Sequence, residues 1–242
     1  MEVAFREFEM ALENKPKLVA THIGWAYRFV EEDIYQAIIQ KLARVQSSVR
    51  AAYVLLENGY VQEQAILHRI IDETNEDILF LTHATISADI SPLHQRYLIE
   101  FWKEEFEHPT DPIKSEQKRK MIPRKKIRAY IAKAESKVME LSDEVGDYSR
   151  GIELGKTISK FYSGFVHGAS PQIMDSYFGD PPKFHTRGML GTPKIDDYRK
   201  DFWNPMFRSF LSHVYVAMTK LGNKELLENL LQAKNQFESN SL

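Results

Sequence analysis

Apolar residues recur every three or four positions over most of this chain, which is the spacing of one face of an α-helix. The longest such run lies between residues 32 and 57, and a second run follows directly between residues 61 and 84. Asn58 and Gly59 separate the two runs, and glycine suits the left-handed conformation that ends many helices. Because the connection is so short, the two helices are predicted to form an antiparallel hairpin.

The same spacing predicts helices on both sides of this hairpin. Before the hairpin, helices are predicted near residues 3–12 and in a stretch that Pro16 opens and that runs to residue 30. After it, they are predicted at about 92–102, 127–141, 147–166, 197–221 and 224–237. Pro205 is expected to start or kink the helix at 197–221. The helical rhythm disappears between residues 171 and 198, where the sequence is rich in glycine and proline. Two very short strands are expected there, around Gly188 to Gly191. The prediction is an all-α fold: a single helical domain over residues 1–242, formed by a bundle of long antiparallel helices with one irregular Gly/Pro-rich insertion at residues 168–197.

Composition narrows the classes of function. The chain has no cysteine, which excludes disulfides, zinc ribbons, iron–sulfur clusters and thiol nucleophiles. Its 32 basic and 34 acidic residues give a formal charge of −2, so any attraction to nucleic acid must be local. No apolar run approaches the roughly 18 residues of a membrane helix, and acidic residues occupy the place of a signal peptide's apolar region. We therefore expect a cytoplasmic protein with no membrane partner.

Several common catalytic motifs are absent from the sequence. The patterns G-x-G-x-x-G, G-x-x-x-x-G-K-[ST] and G-x-S-x-G do not occur, which argues against a nucleotide cofactor in a Gly-rich loop and against α/β-hydrolase chemistry. H-E-x-x-H is also absent, and the Glu-x-x-His spacing of di-iron bundles occurs once, from Glu105 to His108. We therefore expect neither a metal ion nor a cofactor.

One polar cluster lies on the second helix of the hairpin, in the sequence HRIIDETNED from His68 to Asp77. Arg69 and Glu73 are four residues apart and are therefore neighbours on one helix face. Two interpretations remain open at this point. The pair belongs either to a solvated face, where such an ion pair contributes little to stability, or to the mouth of a polar pocket between helices.

His167 is the second candidate, in the sequence FYSGFVHGAS at residues 161–170. It ends a predicted helix and precedes Gly168, so its ring lies near a helix C-terminus, where a positive charge is favoured. Tyr162 lies about one turn earlier on the same helix. His167 acts either as a general acid or base beside Tyr162 or as a cap for the terminal carbonyls.

A basic patch forms the third candidate. Eight of the fifteen residues from Lys114 to Arg128 are lysine or arginine, and only Glu116 is acidic. Positive charge in the first turn of a helix opposes the helix dipole, which is compatible with a role in binding phosphate. An exposed charged linker is the alternative. The candidate nucleic-acid-binding residues are Lys118, Arg119, Lys120, Arg124, Lys125 and Lys126.

Two segments carry a resemblance to a known group of proteins. Residues 51–81 are similar to the helical hairpin of a bacterial domain-of-unknown-function family, with the pattern Leu-x-x-Gly followed by Leu-x-Arg-x-x-x-Glu. The sequence YSGFVHG at residues 162–168 resembles that family's Val-His-Gly signature. The resemblance covers about residues 30–235 and implies an all-helical domain without an established activity. The matching positions are Arg69, Glu73, Tyr162, Ser163 and His167.

A more distant resemblance is to the HEPN superfamily of helical bundles. Many of its members are ribonucleases of toxin and anti-phage systems, often dimers with Arg-x(4–6)-His at the interface. Arg208 and His213 match that spacing, whereas the His167 motif has Tyr162 where the pattern has arginine. The resemblance implies RNA as a partner, a homodimer, and a metal-independent ribonuclease that uses Arg208 and His213 as the alternative function.

The sequence therefore supports two hypotheses of different kinds. The first is an enzyme of the HEPN type, in which His167 or His213 transfers protons and Arg69 or Arg208 binds a phosphate. The second is a helical module that binds a small ligand or a partner protein through the polar face of Arg69 and Glu73. No motif specifies a reaction, so the function stays unknown. The leading hypothesis is a polar site around Arg69, Glu73 and His167, in a protein of a defence or toxin-type system.

Overall fold

A computed structural model of the chain describes residues 1–21, 24–104, 108, 110–115, 120–140 and 148–239. These residues form nine α-helices and two small antiparallel hairpins, so the all-α prediction is confirmed. The helices are α1 (Glu2–Ala11), α2 (Ile34–Glu57), α3 (Val61–Ile86), α4 (Pro92–Trp102), α5 (Arg124–Glu140), α6 (Tyr148–Val166), α7 (Ser170–Met174), α8 (Lys194–Ala217) and α9 (Lys224–Ser239). The strands are β1 (Lys17–Thr21), β2 (Gly24–Arg28), β3 (Tyr177–Phe178) and β4 (Lys183–Phe184). No helix in the described ranges is long and apolar enough to span a bilayer.

The helices α2 and α3 form the predicted antiparallel hairpin. Asp33 caps α2, since its carboxylate accepts the Gln36 amide at 2.7 Å while the Gln36 side chain accepts the Asp33 amide at 3.1 Å. Gly59 ends α2 with φ +77°, which glycine adopts without a steric penalty. The amides of Gly59 and Tyr60 then donate to carbonyls of the last turn of α2, so the turn leaves few helix-end groups unpaired.

The helix α3 lies at the centre of the bundle, in contact with α2, α5, α6 and α8. Its aliphatic residues Ile71, Ile78 and Leu81 are fully buried, as the apolar pattern predicts. Polar residues on its other faces are buried as well, and they include His68, Asp72, Asn75, Glu76 and Asp77. A solvated face over this part of α3 is therefore not what the structure shows, because neighbouring helices cover it.

The helix α8 runs without interruption through Pro205, which neither starts nor breaks it. Proline has no amide hydrogen, so it cannot donate to the carbonyl of Asp201 one turn earlier. Side chains bind the next turn to α3: Ser209 Oγ donates to the Pro205 carbonyl at 2.6 Å, and Asn75 Nδ2 donates to Ser209 Oγ at 3.1 Å. Ser212 Oγ donates to Asn75 Oδ1 at 2.7 Å. Asn75 thus joins two turns of α8 to the central helix.

The helix predicted from Pro16 to residue 30 is wrong, because Lys17–Thr21 and Gly24–Arg28 are the paired antiparallel strands β1 and β2. Leu18 lies opposite Tyr27 and Ala20 lies opposite Trp25, which places these four side chains on one exposed face of the hairpin. Aromatic and β-branched residues fit a strand surface better than a helix. The spacing of apolar residues in this short segment is compatible with either a helix or a β-hairpin.

The strands predicted around Gly188 to Gly191 are also misplaced. The short strands of the insertion are β3 and β4, and the short helix α7 precedes them. Residues 188–190 instead pack on the turn between α2 and α3, where the Met189 amide donates to the Gly59 carbonyl at 2.8 Å. Met189 is 2% exposed, so its side chain joins the core. These contacts hold the insertion against the hairpin of α2 and α3.

Replacing Gly59 with alanine is expected to weaken this attachment. A Cβ atom at this position would lie 2.6 Å from the Met189 backbone nitrogen and 2.7 Å from that of Leu190. Neither backbone atom can move away without breaking the Met189 hydrogen bond. We expect Gly59→Ala to lower the free energy of unfolding, measured in urea, by about 2 kcal/mol or more.

Gly191 provides a matched control, since it has the same φ of +77°. Among the described residues, no atom beyond its chain neighbours lies within 4 Å of the place that a Cβ atom would take there. Gly191→Ala should therefore cost only the backbone strain of about 1 kcal/mol. Equal losses for the two variants would contradict the role of the Gly59 contact.

Candidate functional site

Four carboxylates on α3, at positions 72, 73, 76 and 77, are each paired with a cationic side chain. Asp77 binds two cations, with Lys41 Nζ 2.8 Å from Oδ2 and Arg124 Nη1 2.5 Å from Oδ1. The other three carboxylates bind one partner each at the closest distance. Arg208 Nη1 lies 2.7 Å from Asp72 Oδ1, Arg69 Nε lies 3.0 Å from Glu73 Oε1, and Arg128 Nε lies 2.7 Å from Glu76 Oε1. Burying a carboxylate is costly unless a partner compensates its charge. The cations come from α2, α3, α5 and α8, so these pairs tie the central helix to three of its neighbours.

Arg69 and Glu73 lie half-buried between α3 and α6. Arg69 binds Glu73 within α3, and its Nη1 also donates to Ser163 Oγ on α6 at 3.1 Å. Three of the sequence-predicted positions are therefore joined by direct contacts. The contacts hold α6 against α3.

His167 lies outside this group. Its side chain is exposed beyond the end of α6, and in the described ranges no hydrogen bond or ion pair joins it to Arg69, Glu73 or Tyr162. The helix is capped by backbone instead, since Gly168 has φ +60° and the Ala169 amide donates to the Gly164 carbonyl at 2.9 Å. The structure thus does not bring His167 into one site with Arg69, Glu73 and Tyr162.

Arg208 and His213, the pair of the ribonuclease alternative, face different surroundings. Arg208 turns to Asp72, whereas His213 is fully buried. His213 Nδ1 lies 2.8 Å from the Ser209 carbonyl, and its Nε2 lies 3.0 Å from Gln46 Nε2. Burial lowers the pKa of His213 to about 4, so the ring is neutral at pH 7. Both ring nitrogens are occupied by protein groups.

The basic patch divides into parts with different roles. Lys118 and Arg119 lie outside the described residues. Arg124 turns inward, where it binds Asp77 and donates to the Glu73 carbonyl at 2.9 Å, so it serves the core of the bundle. Lys120, Lys125 and Lys126 are exposed. Nucleic-acid binding by this patch stays a prediction, and among the described members only these three lysines face solvent.

A cavity of about 260 Å³ lies between α3, α6 and α8. It is lined by His68, Asp72, Thr157, Ile158, Phe161, Tyr162, Asn204, Pro205 and Arg208. The helix α3 supplies one wall with residues four positions apart, and α8 supplies the opposite wall from the turns around its proline. Of the residues predicted from the sequence, Tyr162 and Arg208 lie in this cavity.

The Asp72–Arg208 ion pair forms the charged part of the lining. The two side chains are 11% and 30% exposed, so they meet at the border between the core and the cavity. Burial raises the pKa of Asp72 to about 6, although the Arg208 charge acts in the opposite direction. Within the described residues, Asp72 Oδ2 has no hydrogen-bond donor and Arg208 has no second acceptor.

His68 and Tyr162 form the neutral part of the lining. Burial lowers the pKa of His68 to about 4, so the ring carries one proton at pH 7. The Gln64 side-chain amide donates to His68 Nε2, which places the ring proton on Nδ1. Nδ1 then donates to the Tyr162 hydroxyl at 2.8 Å.

This tautomer leaves the hydroxyl proton of Tyr162 available. Burial, and then the charges of Asp72 and Asp201, raise the pKa of Tyr162, so the hydroxyl stays protonated at pH 7. Since the oxygen already accepts from His68, its own proton points elsewhere, and no acceptor for it occurs in the part of the chain that the structure describes. Tyr162 is therefore a hydrogen-bond donor at the cavity wall.

Comparisons of the chain with models of protein families, with curated proteins and with solved structures found no match. The two family resemblances therefore stay predictions, and the function is argued from the geometry alone. Across the described ranges, no group of three or more histidine or acidic side chains is arranged to hold a metal ion.

Sequence reasoning missed His68 and Asp72. Both belong to the polar segment from His68 to Asp77, and their spacing of four residues puts them on one face of α3. The missing information was the position of their partners. Tyr162 and Arg208 lie 94 and 136 residues further along the chain, and helical periodicity does not reveal such distant contacts.

The raised pKa of Asp72 predicts a specific pH dependence of stability. Between the unfolded value of 3.8 and the folded value of about 6, Asp72 binds more protons in the folded protein than in the unfolded chain. The contribution of Asp72 to stability therefore falls as the pH rises through this window, whereas the lowered pKa values of His68 and His213 act in the opposite direction. Asp72→Asn removes this titration, so the wild-type protein should lose about 2 kcal/mol relative to the variant between pH 4 and pH 7.

Urea unfolding of both proteins at several pH values measures this difference. His68 and His213 titrate in both proteins, so their contributions largely cancel in the comparison. A wild-type protein that gains stability relative to Asp72→Asn as the pH rises would show that Asp72 is not held in a costly ionised state.

Proposed function

We propose that this protein binds a small ligand in the cavity between α3, α6 and α8. The observation that carries the proposal is unused hydrogen-bonding capacity at the cavity wall, on Asp72, Arg208 and Tyr162. The rest of the lining is largely apolar and includes Ile158 and Phe161. A concave, mainly apolar site with a few converging polar groups is the usual composition of a ligand pocket.

The size of the cavity limits the ligand. A water molecule occupies about 30 Å³ of the liquid, so the cavity has room for about nine waters. A ligand of similar volume has about nine non-hydrogen atoms if it packs at the density of water. This favours a single small metabolite over a dinucleotide or a peptide.

The proposal keeps the ligand-binding hypothesis but moves the site. Arg69 and Glu73 act in the contact between α3 and α6, and Arg69 holds Ser163 of the helix that carries Tyr162. They support the cavity wall from outside the lining. His167 is left outside the proposed site because its exposed side chain lies beyond the end of α6.

The ribonuclease alternative is not favoured by the position of its proposed catalytic pair. His213 is enclosed by protein and neutral at pH 7, whereas a general base needs access to the proton that it removes. RNA binding, a homodimer, a cytoplasmic location and a place in a defence or toxin-type system stay predictions from the sequence.

A substitution that fills the mouth of the cavity tests ligand binding. Asn204 is exposed and belongs to the lining, so Asn204→Trp should block the cavity without changing its charges. We expect that a panel of small metabolites contains a compound that raises the melting temperature of the wild-type protein. At about 100 times its Kd, such a compound stabilises the folded state by about 2.7 kcal/mol. The variant should lose this shift.

Lys200→Trp is the matched control, because residue 200 is exposed one turn earlier on α8 and lies outside the lining. It should respond to the compound as the wild-type protein does. Native mass spectrometry of the same samples reports the bound mass directly. The proposal fails if no compound stabilises the wild-type protein, or if Asn204→Trp responds as strongly as Lys200→Trp.

A further inference from the structure

Three groups at the cavity wall define what a ligand must offer. Asp72 Oδ2 is an acceptor without a donor among the described residues, Arg208 has guanidinium donors beyond the one that binds Asp72, and the Tyr162 hydroxyl has a proton to donate. A ligand that matches these three groups has a strong hydrogen-bond donor near Asp72 and a strong acceptor near Arg208 and Tyr162.

The charge of the lining restricts the ligand further. Asp72 and Arg208 are the charged members of the lining and their charges cancel, while His68 and Tyr162 are neutral at pH 7. A ligand with a net charge would leave that charge uncompensated in a partly buried site, which is costly. A ligand with one positive and one negative group preserves the balance and pairs each group with its opposite.

Two further carboxylates, outside the lining, interact electrostatically with residues of the lining. Asp201 acts on Tyr162 through its charge, and Glu135 interacts in the same way with Arg208. Neither forms an ion pair within the described residues. Their negative charges favour a positive group on the ligand and oppose a ligand that carries only a negative one.

The apolar members of the lining account for the remainder of the ligand. Ile158, Phe161 and Pro205 supply hydrocarbon surface beside the ion pair. Burying an aliphatic group there is favourable because it removes apolar surface from water. The available volume, about nine non-hydrogen atoms at the density of water, leaves room for only a short side chain.

We propose that the ligand is a single zwitterionic α-amino acid with a small aliphatic side chain, whose ammonium group binds Asp72 and whose carboxylate binds Arg208 and the Tyr162 hydroxyl. The proposal rests on the proposed function, since it names the chemical class of the ligand for the same cavity. The aliphatic side chain lies against Ile158, Phe161 and Pro205.

Isothermal titration calorimetry at pH 7 with three related compounds tests this assignment. L-leucine carries both charged groups, isopentylamine has the same side chain without the carboxylate, and isocaproate has it without the ammonium group. Loss of one charge-assisted pair should weaken binding at least about tenfold. We expect L-leucine to bind best, isopentylamine more weakly, and isocaproate most weakly because Asp201 and Glu135 oppose it.

Substitutions test the partners of each group. Asp72→Asn should weaken L-leucine binding at least about tenfold, and Tyr162→Phe, which removes only the hydroxyl, should weaken it about threefold to tenfold. Asp196→Asn is the control, because Asp196 forms an exposed pair with Arg199 on α8 and should leave binding unchanged. Circular dichroism establishes that each variant is folded. If Asp72→Asn does not fold, Tyr162→Phe and the three-compound series on the wild-type protein decide.

Each contrary result has a distinct meaning. Isopentylamine that binds as tightly as L-leucine would make the site a simple cation site, and isocaproate that does so would make it an anion site; either overturns the zwitterion. If L-leucine does not bind while another compound is blocked by Asn204→Trp, the amino-acid assignment fails and the proposed function stands. If no compound binds at all, both fail.

Discussion

Compensation of the buried carboxylates on α3 is the constraint on which the rest of the structure depends. Asp77, with a side chain only 2% exposed, accepts from Lys41 of α2 and from Arg124 of α5. Removing either partner from a buried pair is much more costly than losing a surface ion pair. The neighbouring helices can therefore pack on α3 only in the register that brings their cations to these oxygens. Apolar packing holds the bundle together, and the ion pairs select one arrangement among those that would bury similar area.

The carboxylates on α3 differ in how far the protein uses their bonding capacity. Asp77 is bound by two cations and is enclosed, whereas Asp72 has one cation and lies at the wall of a cavity. Tyr162 shows a similar contrast with His213, since the tyrosine retains a proton to donate while both ring nitrogens of the histidine are engaged by protein groups. A polar residue in this bundle is therefore informative about function when its bonding capacity exceeds what the protein supplies.

Much of the fold could be predicted because helical periodicity is a local signal. The hairpin of α2 and α3, its turn at Gly59 and the end of α6 at Gly168 all follow from residues adjacent in sequence. The helix predicted between Pro16 and residue 30 was wrong, because the apolar spacing in so short a segment does not distinguish a helix from the paired strands β1 and β2. The site was only partly predicted, because amphipathic patterns assume one buried face, whereas α3 is covered by helices on several sides. The roles of His68 and Asp72 depend on Tyr162 of α6 and Arg208 of α8, which are distant in sequence.

Pro205 gives the wall of the cavity a mechanical property that a regular helix lacks. Such a helix resists bending because each turn is closed by backbone hydrogen bonds. In α8 the bond from residue 205 to the Asp201 carbonyl is missing, and Asn204 and Arg208 flank this point on the cavity side. A change in curvature here breaks no backbone bond at that position, while the turns beyond it stay attached to α3 through Asn75. The segment of α8 before Pro205 is itself anchored in the core by Phe202, which stacks on His68, so the missing bond makes a small change of curvature at the cavity wall less costly without detaching either half of α8.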